Sequence, residues 1–393
     1  MAIQASRRVQ SIGGYAFAEV DQLAADLKQK GVDVIDFGVG DPTIPTPAFI
    51  REACKQALDR RAAAGYPSYV GQPEFRQAAA DWLGRRFGAD LDPETQVTAT
   101  IGSKEAVFHF HEGFVDPGDV VIIPSPGYPP YGRGTLFAEG EAFFIPIVAE
   151  NDFLPDLEAI PDDIARRAKL MWINYPNSPT GKIAPPEFFR RVIEFGRQFG
   201  IIIASDEAYV DIYFTDEPPH SILEYGTEGV VAFFSLSKRS AMTGWRVGFA
   251  AGDAEIVGVL RKVKTNLDSG TPQFIQDAAA AALGDETHVA QMRRDYHRKR
   301  DIICHAFVEL GLPDCRPEAT LYVWQRVPEG MSSTGFAKAL LAEEVALVVT
   351  PGEWISDVTH DGRNPGDGYV RLALVPSIER TQEAAERLKG LSL

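Results

Sequence analysis

Between residues 95 and 252, short apolar runs recur at intervals that amphipathic stretches fill: TQVTATI, DVVIIP, EAFFIPI, KLMWINY, GIIIAS, VVAFFSLS and VGFAAG. A strand buried on both faces has no polar side with which to alternate, so such runs between helical segments predict a mostly parallel sheet covered by helices. The segment between KLMWINY and GIIIAS reads most clearly as a helix. Pro185 and Pro186 suit its first turn, Phe188, Phe189, Val192, Ile193 and Phe199 repeat at helical spacing, and Gly200 follows the end. After about residue 270 the texture changes to longer helical stretches, DETHVAQMRRDYHRKRDIICHAFVEL among them, with the strands TLYVWQRV, ALVVTP and YVRLALV. No repeat or Gly/Ser linker interrupts the chain. The pattern predicts an α/β protein with a large domain over 45–275 and a smaller α+β domain made from 1–44 and 276–393.

A chain of 393 residues suits that plan, and 45% hydrophobic with 24% charged residues is the composition of a globular protein. No apolar run reaches the ~18 residues of a membrane span. Thirty-nine basic against fifty-five acidic residues leave a net charge of −16, which repels phosphate backbones and argues against nucleic acid as a partner. Cys54, Cys304 and Cys315 show no paired spacing, and the start MAIQASRRVQSIGGY has no apolar stretch of a signal peptide, so a cytoplasmic protein is expected. The histidines form no metal-ligand spacing, and no metal is expected.

Ligands of open parallel sheets sit at the carboxyl ends of the strands, so the residues after each run matter. TQVTATI leads to Gly102-Ser103-Lys104 at a helix start, where free N–H groups favour a phosphate; an ordinary N-cap would look the same. DVVIIP leads to Pro126-Gly127-Tyr128, with a ring placed to stack on a planar ligand. KLMWINY leads to the turn Pro176-Asn177-Ser178-Pro179-Thr180-Gly181, and GIIIAS to Asp206 with Tyr209 three residues on. A carboxylate at the end of an apolar strand calls for a cationic partner, because burying it alone costs several kcal/mol. VVAFF runs into Ser235, Ser237 and Lys238, and Arg246 precedes the next run; a strand ending on Lys238 and resuming after Arg246 holds an amine and a guanidinium at one sheet edge. Each element alone has a bland alternative. Their sum asks for an aromatic ring with a basic nitrogen, a phosphate, a phenolic oxygen and an aldehyde, which pyridoxal 5'-phosphate combines.

Here the sequence resembles the fold type I pyridoxal-phosphate enzymes, class I/II aminotransferases in particular, over essentially the whole chain. The likeness rests on Ser-x-Ser-Lys followed by Gly-x-Arg-x-Gly, with Asn-Ser-Pro-Thr-Gly and Asp-x-Ala-Tyr upstream. It is closest to the LL-diaminopimelate aminotransferase group through GGYAFAEV, DFGVGDPTIPTP, YPSYVGQPEFR, TIGSKEAV, SPGYPPY, VKTNLDSG and GDGYVRLAL. The resemblance implies Lys238 as the lysine that bonds the cofactor's aldehyde, Asp206 as partner of its ring nitrogen, Tyr209 on its phenolic oxygen and Tyr128 stacked on the ring. It implies a phosphate held by Ser103, Lys104, Ser235, Ser237 and Arg246, with Tyr66 reaching in from the other subunit of a homodimer. It also implies that Arg371 grips the substrate's α-carboxylate, with Tyr15, Gly40 and Asn266 lining the pocket. The family usually has Asn directly before Pro-Thr-Gly, where this chain has Ser178. A serine hydroxyl reaches less far towards the phenolic oxygen, and whether neighbouring Asn177 takes over is left open.

The expected activity is transfer of an amino group between an amino acid, LL-2,6-diaminopimelate first, and a 2-oxo acid, 2-oxoglutarate, by a ping-pong route. A second reading keeps the cofactor but takes another amino acid (aspartate, alanine, N-succinyl-diaminopimelate) or runs elimination, decarboxylation or oxidation. A third, a ligand-sensing protein on the same fold, is disfavoured because Lys238 is retained and no basic extension is present.

Overall fold

The computed structural model describes residues 3–12, 18–42 and 44–391. In chain order the strands are β1 (Ile35–Asp36), β2 (Val97–Thr100), β3 (Val120–Ser125), β4 (Glu141–Pro146), β5 (Ala168–Asn174) and β6 (Ile202–Asp206). They continue with β7 (Val230–Ser235), β8 (Gly248–Gly252), β9 (Tyr322–Arg326), β10 (Leu347–Val348), β11 (Thr350–Pro351) and β12 (Tyr369–Ala373). The seven predicted apolar runs form one sheet in the order β2, β8, β7, β6, β5, β3, β4. Strands β3 to β7 pair in parallel, as expected. β8 is the exception, antiparallel to both β7 and β2. Its connection from β7 holds only the single turn Leu236–Arg239 and the 3-10 turn Thr243–Trp245, so no crossover helix carries the chain back across the sheet.

Every residue of β3, β7 and β8 is buried, and successive side chains go to opposite faces. Phe233 joins Phe110 and Trp172 on one side, while Phe234 joins Trp82, Phe189 and Phe249 on the other. The helix Pro186–Phe199 buries Phe188, Phe189, Val192 and Ile193 and ends on Gly200 at φ 72°, matching its predicted stripe and stop. A further core surrounds the three-stranded antiparallel sheet β11, β12, β9, packed by the helices Thr287–Glu309 and Ile378–Leu388. ALVVTP, expected as one strand, is divided: β10 pairs in parallel with β1, and β11 pairs with β12.

Two contacts fix these sheets relative to each other. Ala319 N donates to Gly181 O (3.0 Å) and Thr320 N to Ile212 O (2.8 Å), which brings the start of β9 over the carboxyl edge of the large sheet. Gly181, at φ 75°, allows this approach, since a Cβ there would overlap Pro317. The segment 351–368 crosses to the ends of β3 and β4. Ser125 Oγ both donates to Asp357 O (2.7 Å) and accepts from Asp357 N (2.9 Å), and the His360 ring stacks on Phe143 at 4.9 Å.

Candidate active site

A cavity of about 310 Å3 opens at the carboxyl edge of the parallel strands. β7 ends at Ser235 rather than at Lys238, because Ser235 caps a single helical turn by accepting from Ser237 N (3.2 Å). That turn aims Lys238 at the cavity, where Nζ donates to Gly40 O (2.6 Å). Burial holds the amine below its ordinary pKa.

Asp206 ends β6 and is 4% exposed. Its Oδ2 accepts from Tyr131 Oη (2.9 Å) and its Oδ1 from Ala208 N (3.2 Å). Burial nevertheless raises it to about 6, against the pull of those two bonds. Among the described residues no cation lies within ion-pair reach of it. Tyr131 stacks on Trp172 (4.7 Å, 14°), and Trp172 Nε1 donates to His111 Nε2 (3.0 Å). An indole only donates, so the His111 proton sits on Nδ1 and goes to Phe108 O (3.1 Å). Burial lowers His111 to about 4, which keeps this stack uncharged.

At the opposite end of the cavity the helix Gly102–His109 presents its free N–H groups beside Arg246. Arg246 adopts φ 54°, and its Nη1 and Nη2 donate to Thr243 O (2.8 Å) and Ile101 O (3.4 Å). Gly102 sits at φ 71°, where a side chain is strained, and a Cβ there would also displace Arg246 Nη2. From behind, Glu105 accepts from Ile101 N (2.9 Å) and pairs with the wholly buried Lys264 (3.1 Å), which stiffens the helix start.

Of the residues predicted from sequence, Gly40, Ser103, Lys104, Tyr128, Ser178, Asp206, Tyr209, Ser235, Ser237, Lys238 and Arg246 line this one cavity. Asn177 does not. Its Nδ2 donates to Asn174 O and its Oδ1 accepts from Thr180 N and Oγ1, so the loop consumes its amide and it does not stand in for Ser178. Arg371 lies behind the lining: Nη2 donates to Gly38 O (3.0 Å), the guanidinium rests 4.7 Å over the Tyr322 ring, and Nε is buried without a partner. Tyr66 is 90% exposed, and Asn266 is exposed on the last turn of its helix, away from the cavity of its own chain. Tyr15 lies outside the described residues.

Sequence reasoning missed Tyr131, Asn174, Thr243 and Tyr322. Asn174 carried a signal, a polar residue closing an apolar strand; its Nδ2 donates to Asp206 O (2.7 Å) and its Oδ1 accepts from Ser178 N (2.9 Å). Tyr322 looks like a core aromatic within TLYVWQRV, and Tyr131 looks like a helix-start residue behind the two prolines of SPGYPPY.

The residues fit pyridoxal 5'-phosphate: a buried carboxylate lacking a cation suits a protonated ring nitrogen, a desolvated amine suits an aldehyde, and a helix N-terminus beside an arginine suits a phosphate. Fold and site together define a fold type I, pyridoxal-phosphate-dependent transferase. The chain belongs to the aminotransferase class I and II family, whose model matches residues 32–388, and it is an aminotransferase. It is 46% identical to the LL-diaminopimelate aminotransferase of Aquifex aeolicus (strain VF5), over 99% of both chains. It is 45% identical to the enzyme of that name from Syntrophobacter fumaroxidans, over 100% of both. Among solved structures it resembles substrate-bound BacF from Bacillus subtilis with a TM-score of 0.90 and 32% identity, covering 100% of this chain and 98% of that one. A Thermus thermophilus aspartate aminotransferase single mutant matches with a TM-score of 0.90 at 29% identity, over 100% of both chains.

Proposed function

We propose that this chain moves an amino group between LL-2,6-diaminopimelate and 2-oxoglutarate, each partner entering the same cavity in turn. The transfer reading is carried by the gathering of Lys238, Asp206 and a helix N-terminus around one cavity. The choice of substrate is supported by relatives that carry that name at 43–46% identity over nearly the full chain.

When bound, pyridoxal phosphate supplies the aldehyde that takes up the amino group and a ring that draws electrons from the reacting carbon. Asp206, whose two oxygens Tyr131 and Ala208 N fix, would hold a proton at the ring nitrogen. The helix start and Arg246 would hold the cofactor's phosphate, with Tyr128 and Tyr209 placed along the cavity to meet its ring and phenolic oxygen. Lys238 Nζ, whose amine burial keeps available as a base, takes the proton from the substrate α-carbon. Arg371, whose Nε has no partner, would receive the α-carboxylate, where two parallel hydrogen bonds orient the bond to be broken. Ser178 Oγ stands where the family usually has an amide, leaving Tyr209 as the main partner of the phenolic oxygen.

Residues 45–275 act as the cofactor-holding domain and 1–44 with 276–393 as the smaller one. The working unit is a homodimer in which Tyr66 and Asn266 complete the neighbouring site; both are exposed in the single chain. Its place is the cytoplasm, consistent with three unpaired cysteines.

The test mixes the holoenzyme with a panel of amino acids and follows conversion of the cofactor to its amine form by absorbance. Full conversion by LL-diaminopimelate at the lowest concentration is expected. No conversion by it, with full conversion by a monocarboxylic amino acid, overturns the substrate.

A further inference from the structure

Tyr322 is the sole cavity-lining residue drawn from the three-stranded sheet. It touches three groups of the site. Its ring lies under the Arg371 guanidinium at 4.7 Å, and its hydroxyl accepts from Tyr209 Oη at 3.4 Å. A Cβ on Gly40 would overlap that hydroxyl, and Gly40 O is the acceptor of Lys238 Nζ. The geometry thus explains why Gly40, whose φ is ordinary, lacks a side chain: the phenol fills the space a Cβ would take.

Arg371 itself is loosely held. Nη2 has Gly38 O and a long contact to Thr350 Oγ1 (3.5 Å), and Nε has no partner. Two acceptors on one nitrogen do not fix the plane of a guanidinium; a ring against its face does.

We propose, resting on the reading of Arg371 as the carboxylate clamp, that Tyr322 is a positioning residue for the substrate's α-carboxylate, its ring setting the plane of the Arg371 fork and its seat above Gly40 setting the distance from fork to Lys238. The ring does most of this, so Tyr322→Phe retains the function and Tyr322→Leu loses it.

The experiment measures binding of glutarate, a dicarboxylate with no group to react, to the holoenzyme by calorimetry, together with KM and kcat. Tyr322→Phe is expected to bind glutarate within about twofold of the parent and Tyr322→Leu about tenfold more weakly, the size of a partly desolvated cation–π contact. KM for amino acid and oxo acid rises in step in the Leu variant, while the affinity for pyridoxal phosphate stays at the parental value. Gly40→Ala weakens glutarate in the parent by displacing the phenol, and adds nothing in the Tyr322→Leu background, a non-additivity that an unrelated structural defect does not produce. Parental glutarate affinity in Tyr322→Leu overturns the proposal, and so does equal weakening in the Phe and Leu variants. If the Leu variant does not fold, Tyr322→Met, which likewise removes the ring that Gly40→Ala would strike, takes its place in the same measurements. Arg371→Leu separates the two levels: if it leaves glutarate binding intact, the clamp reading fails; if it abolishes binding while Tyr322→Leu does not, only the role of Tyr322 fails.

Discussion

Asp206 and its neighbour Glu207 are both buried acids, but the site uses one of them. Glu207 accepts from Ser205 Oγ (2.9 Å) and Ile222 N (3.0 Å), while its Oε2 is buried without a partner, and burial raises it to about 7. An acid raised in the folded state binds its proton more firmly there than in the unfolded chain, so its contribution is complete at pH below ~4 and is lost as pH climbs through about 7. Glu207→Gln removes that loss; the gap in melting temperature between variant and parent widens from pH 5 to 8, which thermal unfolding reads directly. Asp206 behaves likewise around 6 in the cofactor-free protein, and a protonated ring nitrogen cancels its part. Tyr131→Phe deletes a hydrogen bond to a charged oxygen and pushes Asp206 higher still, so pyridoxal phosphate binds about tenfold more weakly, measured by equilibrium dialysis. Lys238→Ala ends turnover altogether while leaving the phosphate end able to hold the cofactor. Lys238, Asp206 and Arg246 were legible in the sequence because a charge beside an apolar strand stands out. Tyr322 was not, since a phenol in apolar company gives its packing away and hides its hydroxyl, and Tyr131 was not, since nothing beside it in SPGYPPYGR points to a partner carboxylate. Asn177, left open by the sequence, spends its amide within its own turn.

Strands and helices place these groups through a few backbone positions. Gly102 and Gly200 both have left-handed φ, 71° and 72°, but only Gly102 faces a neighbour. Gly200→Ala strains a helix end in open space and costs about 1 kcal/mol of stability with no effect on the cofactor. Gly102→Ala drives a methyl group into Arg246 and weakens phosphate holding, read as at least a tenfold loss in affinity for pyridoxal phosphate alongside unchanged substrate KM at saturation. The stripe of the helix Pro186–Phe199 and all seven strands were visible in the apolar pattern. The reversal of β8 and the splitting of ALVVTP between two sheets were not, because direction and partner depend on connection length and tertiary contacts, while the apolar pattern reports burial alone.

For the molecule as a whole, no patch along the sequence marks an interface, and the 90% exposure of Tyr66 is a structural pointer to one. If Tyr66 works across a dimer, chains carrying Lys238→Ala and chains carrying Tyr66→Phe complement each other: the mixed dimer owns one site with a good lysine and a good tyrosine. Mixing the two after partial unfolding and refolding then restores activity above either parent, and no gain indicates that Tyr66 serves its own chain or none. The turning back of β8 on β7 matters at this scale too, for it puts the amine and the guanidinium on one stretch of backbone, 236–247. If Lys238 and Arg246 hold the two ends of one cofactor, deuterium enters the amides of that stretch as a single cooperative unit in the emptied protein and is shut out of all of them together once it is refilled.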